Sequence, residues 1–364
     1  MTEMILKEEE RVAFALRSLY KKYGYLPYKM SKFEGYDLYV ENKEFLVGDG
    51  VITFNDTNGK LLALKPDVTL SIIKNDGDGK GKRKVYYHEN VYRISAKTKQ
   101  FKEIVQVGLE CLGDIDLYDV FETILLAAKS LAAISENFVL DISHLGILSG
   151  ALAGIKLGDG FYKSIMRVIA EKNAHGLQSL CDNYGVDQAD REKLLALVRV
   201  YGEPEAALQK LASYFAKGNT EKPFAFLSAL CAMLKNTEYA KNIRLDFSVV
   251  NDMNYYDDIV FKGFVDGIGE GVLSGGRYDK LMQKMGKKSG AIGFATYLDA
   301  LEGFAAQRSA ADVDVLVLYD DGVAFEKVAE RVDALVKSGK SVSAQKTQTS
   351  VRYVELVDLR GVKV

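Results

Sequence analysis

The chain has 364 residues, 48% hydrophobic and 27% charged, and its 48 basic against 50 acidic residues leave a net charge of −2. This is the composition of a folded protein of about two or three domains, and it excludes global disorder. No basic excess announces nucleic acid, and no long block of one sign makes a tail.

The opening segment, MTEMILKEEERV, lacks the apolar stretch of a secretory signal. No run reaches the ~18 apolar residues of a membrane span. The longest apolar-rich run, Phe121 to Ile134, is interrupted by Glu122 and Lys129. Cys111, Cys181 and Cys231 are odd in number, far apart and without a CxxC pair. They predict reduced thiols in a cytoplasmic protein. His88, His144 and His175 do not share a helical spacing, so no metal site is expected. The phosphate-loop pattern GxxxxGK[ST] and the nucleophile elbow GxSxG are both missing. Gly267-x-Gly269-x-Gly271 lacks the dinucleotide-binding spacing and reads as a turn.

Apolar residues at Val12, Leu16, Leu19, Tyr20 and Tyr23 predict a helix over 3–23, stopped by Gly24. The segments YDLYV, GVITF and KLLALKP then read as strands, the last two joined by a turn at Asp56–Gly59. A short helix is expected from Asp67–Thr69 to about Lys74. The Gly/Lys stretch Asp76–Lys84 reads as a solvated hairpin tip. Residues 84–94 and 103–113 predict a long antiparallel hairpin. Asp116 then caps a helix running to about Ile134. From about 156 to 235 the chain is rich in Ala, Leu, Lys and Glu at helical spacing, with Pro204 and Pro223 at breaks. Strand patterns return in IRLDFSVV, MNYYDDIVFKGFV and VLSGGRY, and a helix is expected from Asp279. Residues 290–306 read as a strand followed by a helix. The tail reads as a small βαβ module, its helix placing Val328, Val332 and Val336 on one face. Hairpin connections in the main body favour an antiparallel sheet with helices over a doubly wound one.

Several segments, in order, carry a resemblance. They are Leu62–Thr69 (LALKPDVT), Tyr86–Arg93 (YYHENVYR) with Gln106–Gly113 (QVGLECLG), Asn254–Tyr256 with Val260-Phe261, Gly275–Asp279 (GGRYD) and Gly290–Ala295 (GAIGFA). This series resembles the LRPExT segment, the second class-defining motif, the LDYYxxTVF segment, the GGRYD loop and the third motif of histidyl-tRNA synthetases. It brackets residues 1 to about 305. The resemblance implies an α+β fold over 1–305, with a class II aminoacyl-tRNA synthetase-like antiparallel sheet flanked by helices. It also implies a helical insertion at about 156–235. Residues 311–364 would form a small C-terminal α/β module resembling a truncated anticodon-binding domain.

Three departures set the chain apart from active synthetases. Asn251 stands where they carry an arginine on the α-phosphate and carboxylate, and Ala300 where an arginine grips ATP. The second motif reads Arg93-Ile94-Ser95, without its glutamate, and the loop to Phe101 is short. Adenylation needs fixed donors on the triphosphate, and removing one such donor typically costs ~10²–10³ in rate. Neither Asn nor Ala reproduces the guanidinium fork.

The amino-acid side of the pocket is kept. By resemblance, Asp67 stands where a glutamate takes the α-amino group. Thr69, Gln106 and Glu110 match lining positions, and Arg93 is the retained second-motif arginine. Tyr256 and Tyr278 match positions facing the imidazole. Neutral imidazole needs one donor and one acceptor, which hydroxyl and carboxylate groups supply. The implied histidine-binding set is Asp67, Thr69, Arg93, Gln106, Glu110, Tyr255, Tyr256 and Tyr278, with no catalytic residue, metal or cofactor.

A synthetase-like body without its ATP groups resembles the regulatory subunits of ATP phosphoribosyltransferase. Membership would imply a short-form catalytic subunit as partner and L-histidine as allosteric ligand in the first step of histidine biosynthesis. It would also imply a homodimer within a hetero-oligomer, its face near residues 24–54, and neither nucleic acid nor membrane as partner. Two alternatives stand beside it: a divergent histidyl-tRNA synthetase and a synthetase-like binding module.

Overall fold

Helix α1 (Glu8–Lys22) opens the described chain, with Glu8, Glu9 and Glu10 in its first turn and Lys21 and Lys22 in its last, complementing its dipole. The computed structural model describes residues 7–46, 50–76, 81–94, 98–155, 158–250, 255–301 and 311–361. Two units divide the chain: Val12–Ala300, and Leu301–Val364 together with Met1–Arg11.

After α1 come β1 (Leu26–Pro27), β2 (Phe33–Gly35), α2 (Asp37–Glu41), β3 (Thr53–Asn55), β4 (Leu61–Leu64) and α3 (Thr69–Lys74). The hairpin of β5 (Arg83–Ile94) and β6 (Phe101–Gly113) leads into α4 (Leu117–Ile134) and β7 (Phe138–His144). A helical stretch follows: α5 (Leu145–Leu152), α6 (Asp159–Ala170), α7 (Ala174–Tyr184) and α8 (Gln188–Arg199), then β8 (Tyr201–Gly202), α9 (Pro204–Phe215) and α10 (Glu221–Leu234). The body closes with β9 (Ile243–Asp246), β10 (Ile259–Val265), β11 (Leu273–Arg277), α11 (Asp279–Lys284) and β12 (Gly290–Tyr297).

Among the described residues the main sheet runs β1-β5-β6-β12-β11-β10-β7-β9-β8. It is antiparallel except where β1 joins β5 and β9 joins β7. Its two faces follow from side-chain alternation. One face carries the cross-strand row Leu109, Phe294, Gly275, Phe261, Ile142, Leu245. These residues are buried, and α1 and α4 cover them: Tyr20 stacks edge-on to Phe294, and its hydroxyl shares a 2.9 Å hydrogen bond with Ser130 of α4. The opposite face carries the row Tyr87, Gly108, Ala295, Ser274, Lys262, Asp141, Arg244. Beside it runs the row Glu110, Gly293, Gly276, Val260, Ser143. Small residues in the middle of both rows leave a hollow there.

A second apolar cluster closes one end of that face. Leu38, Tyr39, Phe45, Val68, Leu70, Ile72 and Ile73 pack with Tyr87, Tyr255, Tyr278 and Leu281. They bring the small sheet β2-β4-β3 and helix α3 to the rim of the hollow. The other unit has β13 (Val313–Leu318), α12 (Phe325–Lys337), β14 (Val342–Gln345) and β15 (Tyr353–Asp358). Its sheet is parallel in the order β14-β13-β15, and central β13 carries the buried run Val315–Leu318 that such a strand requires.

Four expectations need correction. YDLYV is not a strand: Leu38, Tyr39 and Asn42 are buried at i, i+1 and i+4, and Asn42 Nδ2 donates to Leu38 O at 2.8 Å. That spacing belongs to a helix. Of the stretch Asp76–Lys84, expected as a hairpin tip, Arg83 and Lys84 belong to β5, the element before it is the helix α3 rather than a strand, and residues 77–80 lie outside the described residues. In α12 the buried positions are Val328 and Leu335 with Val332 half-buried, whereas Val336 is exposed. The helical spacing i, i+4, i+7 continues to 335, not 336. After β12 a 3-10 turn, Leu298–Leu301, replaces the start of the expected helix, and the rest of that stretch lies outside the described residues.

Candidate functional site

The hollow on the polar face is a cavity of about 280 Å³. Its lining contains all eight residues of the predicted set: Asp67, Thr69, Arg93, Gln106, Glu110, Tyr255, Tyr256 and Tyr278. They come from α3 and its approach, β5, β6, the segment before β10, and the β11–α11 junction. Asn251 and Asn254 lie outside the described residues.

Glu110 is the centre of this arrangement. It is 2% exposed. Thr69 Oγ1 donates to its Oε1 at 2.7 Å, and the Tyr278 hydroxyl donates to its Oε2 at 2.6 Å. Burial pushes its pKa up to about 8, while the Tyr278 and Thr69 hydrogen bonds pull the other way. The space for its carboxylate comes from Gly293, its cross-strand partner on β12: a Cβ there would overlap Oε2.

Asp67 lines the cavity and also holds local structure. Its Oδ1 accepts from Leu70 N at 2.9 Å, holding the first turn of α3. Its Oδ2 lies 3.9 Å from Arg93. Burial raises its pKa, opposed by Arg93 and by the Leu70 and Thr69 amides. Arg93 is itself anchored, its Nε donating to Pro66 O at 2.8 Å. These two side chains therefore brace the α3 approach as well as lining the cavity.

Three tyrosines form the roof. Tyr255 sits 4.9 Å from Tyr256 and 5.8 Å from Tyr278, ring centre to ring centre. The buried hydroxyls of Tyr87, Tyr255 and Tyr278 titrate well above their ordinary value, with burial the main cause. They remain neutral donors and acceptors at any physiological pH. The rest of the GGRYD loop is structural. Arg277 Nε donates to Asp279 Oδ2 at 2.9 Å, and Asp279 Oδ1 accepts from Ala291 N at 3.0 Å, pinning β11 to β12.

The lining also holds residues that the sequence reading passed over: Tyr87, Lys262, Glu270, Ser274 and Tyr297. Ser274 and Tyr297 share a 2.7 Å hydrogen bond. One signal was present. Lys262 breaks the apolar run IVFKGFV, and alternation puts it on the face opposite Phe261.

A sequence profile described as histidyl-tRNA synthetase matches residues 2–301. The chain belongs to that family. A relative in Oceanobacillus iheyensis, named ATP phosphoribosyltransferase regulatory subunit, is 27% identical over 79% of this chain and 71% of its own length. Two solved family structures share the fold. One, from Bacillus halodurans, is described as an ATP phosphoribosyltransferase regulatory subunit/histidyl-tRNA synthetase. It aligns with a TM-score of 0.74 at 22% identity, over 98% of this chain and 94% of that one. The other belongs to the ATP phosphoribosyl transferase (HisG:HisZ) complex of Thermotoga maritima, with a TM-score of 0.63 at 17% identity, over 79% and 96%. The family fold is thus the mixed, mainly antiparallel sheet with flanking helices described above. Among the described residues no helix is long and apolar enough to cross a membrane.

Proposed function

We propose that this chain is the regulatory, non-catalytic subunit of an ATP phosphoribosyltransferase. It assembles with a short-form catalytic subunit and raises its activity in the first step of L-histidine biosynthesis. L-histidine, bound in the cavity around Glu110, is the feedback signal. The complex is cytoplasmic. The chain forms a homodimer within it, through residues near 24–54, and uses neither nucleic acid nor membrane.

One observation carries this reading: the two halves of the family's pocket have parted company. On the amino-acid side the predicted residues line one cavity, walled by Glu110, Thr69 and the tyrosines. At the other half Ala300 stands at the position that resembles the ATP-gripping arginine. Its neighbour Asp299 pairs with Lys102 of β6 at 2.6 Å. A cavity of about 280 Å³ suits a small metabolite. A pocket that holds an amino acid without activating it is a sensor. Feedback then requires histidine to bind two states of the complex unequally, by ~1–3 kcal/mol of coupling. The name of the Oceanobacillus relative and the Thermotoga assembly support the partner.

The deciding experiment mixes the purified chain with its cognate short-form transferase. Stimulated turnover that histidine then inhibits is the expected result, and no stimulation would overturn the reading. The family profile itself favours a second reading, a divergent synthetase. Histidine-dependent ATP–pyrophosphate exchange by the chain alone would establish that one instead.

A further inference from the structure

We propose that Lys262 binds the carboxylate of the amino acid in this cavity, an assignment that rests on the histidine-binding reading above. Three observations carry it. The first is the position of Lys262 in the sheet. Lys262 on β10 lies three strands from Glu110 on β6, with β12 and β11 between them, and one row along, so the backbones are about 16 Å apart. The surface between is small: Gly293, Ala295 and Ser274. Glu110 and Lys262 line the cavity on the two sides of this surface, and the space between suits one small zwitterion.

The second observation is charge. Among the described lining residues the cations are Arg93 and Lys262. Arg93 is committed to Pro66 O and faces Asp67. Lys262 has no ion-pair partner among the described residues, and its ammonium lies 5.6 Å from the centre of the Phe264 ring. Asp141, its cross-strand neighbour on β7, forms no ion pair with it among the described residues, and Oδ1 of that buried carboxylate has no hydrogen-bond partner there. Glu270 shares the lining but forms no ion pair with Lys262 among the described residues, and an ammonium so placed beside a cavity is a ready anion site.

The third is how the lysine is laid down. Gly271, on the turn before β11, also lines the cavity, and a Cβ there would overlap Lys262 Cε. The glycine leaves a channel along which the lysine stem runs to the cavity wall. Glu110 and the tyrosines then take the imidazole end and Lys262 the carboxylate end, so the site reads both the side chain and the acid group of its ligand.

The test compares L-histidine with L-histidinol, which has a hydroxymethyl group in place of the carboxylate, by calorimetry on the full-length chain and on its transferase complex. Wild type should favour histidine by about 10- to 100-fold, the range of one charge-assisted hydrogen bond. Lys262→Met should lose that factor for histidine and leave histidinol within about twofold. Lys262→Arg should restore most of it, which a merely structural lysine would not require. Equal histidine affinity in wild type and Lys262→Met would overturn the assignment while leaving the histidine reading intact. So would a parallel loss of both ligands. Absence of histidine binding to wild type, alone and in complex, would instead remove the histidine reading and this assignment with it.

Discussion

Glu110 and Gly293 are cross-strand partners on β6 and β12, and the glycine's missing Cβ is what lets the carboxylate lie flat on the sheet. Thr69 and Tyr278 hold the carboxylate only in that position. Gly293→Ala should therefore displace Glu110, break at least one of those hydrogen bonds, and cost about 1–3 kcal/mol by overpacking. Histidine affinity should fall by about tenfold or more, because a buried acceptor loses its geometry. Urea midpoints and calorimetry on the variant measure both. Wild-type affinity would show that Glu110 does not define the site.

Stability should depend on pH through the same carboxylate. In the folded chain Glu110 titrates at about 8, against an ordinary value of 4.5, because burial outweighs its two hydroxyl donors. Between those values the folded state keeps a proton that the unfolded state has released. Stability from this group is therefore complete below pH ~4.5 and declines as pH rises toward ~8, by at most about 1.4 kcal/mol per unit. Glu110→Gln cannot titrate. The difference in unfolding free energy between wild type and Glu110→Gln should thus shift against wild type from pH 5 to pH 8. A pH-independent difference would mean that the carboxylate is ionised in the fold. Asp141, raised to about 7 by burial and then by Asp246, adds a slope of the same sign to both proteins and cancels in the comparison.

Sequence patterning exposed some of this architecture and hid the rest for physical reasons. The β5–β6 hairpin was legible because its strands are long and rich in aromatic and β-branched residues, with no proline. α4 was legible from one capping aspartate. α2 was not, because Tyr36, Tyr39 and Val40 favour strands and only tertiary burial of Leu38, Tyr39 and Asn42 reveals the helix. The candidate site divided in the same way. Glu110, Thr69 and Tyr278 belong to recognisable segments. Lys262 and Ser274 reach the cavity through pairing across β10, β11 and β12; the break in IVFKGFV marks Lys262 as facing away from Phe261, but only the pairing tells which residues it meets. Asp67 belongs to a recognisable segment too, but its hydrogen bond to Leu70 N at the start of α3 was not legible from the segment's resemblance.

The start of α4 offers a local test. Asp116 Oδ1 accepts from Tyr118 N and Asp119 N at 2.8 and 3.0 Å, and Asp119 Oδ2 accepts from Asp116 N at 2.9 Å. Lys82 pairs with both carboxylates and, with the Asp119 amide, holds the Asp116 pKa down to about 2. Asp116→Ala should cost about 1 kcal/mol and Asp116→Asn much less, since the amide oxygen still caps the helix. This contribution is present above the ordinary carboxylate range and is lost as pH falls toward 2. Thermal melts at pH 7 and pH 3 on the two variants check the order.

Lys65 supplies the sharpest contrast between removing one partner and removing both. Its side chain is fully buried, and its ammonium meets Glu89 at 2.8 Å. Burial lowers its pKa, with Glu89 acting in the opposite direction. The residue sits in the KPD segment just before α3, so its backbone position fixes the approach to Thr69. Glu89→Ala leaves a buried ammonium without its partner and should cost about 3–5 kcal/mol. The double variant Lys65→Met, Glu89→Leu replaces both charges with apolar volume and should lie close to wild type, because desolvating the pair cancels most of its Coulomb gain. Denaturant unfolding of Glu89→Ala and of the double variant compares removing one partner with removing both, and adding the Lys65→Met and Glu89→Leu single variants closes the cycle that gives the coupling. If Glu89→Ala were neutral, Lys65 would have to be uncharged in the fold, and the ion pair would contribute nothing to holding α3 against the cavity.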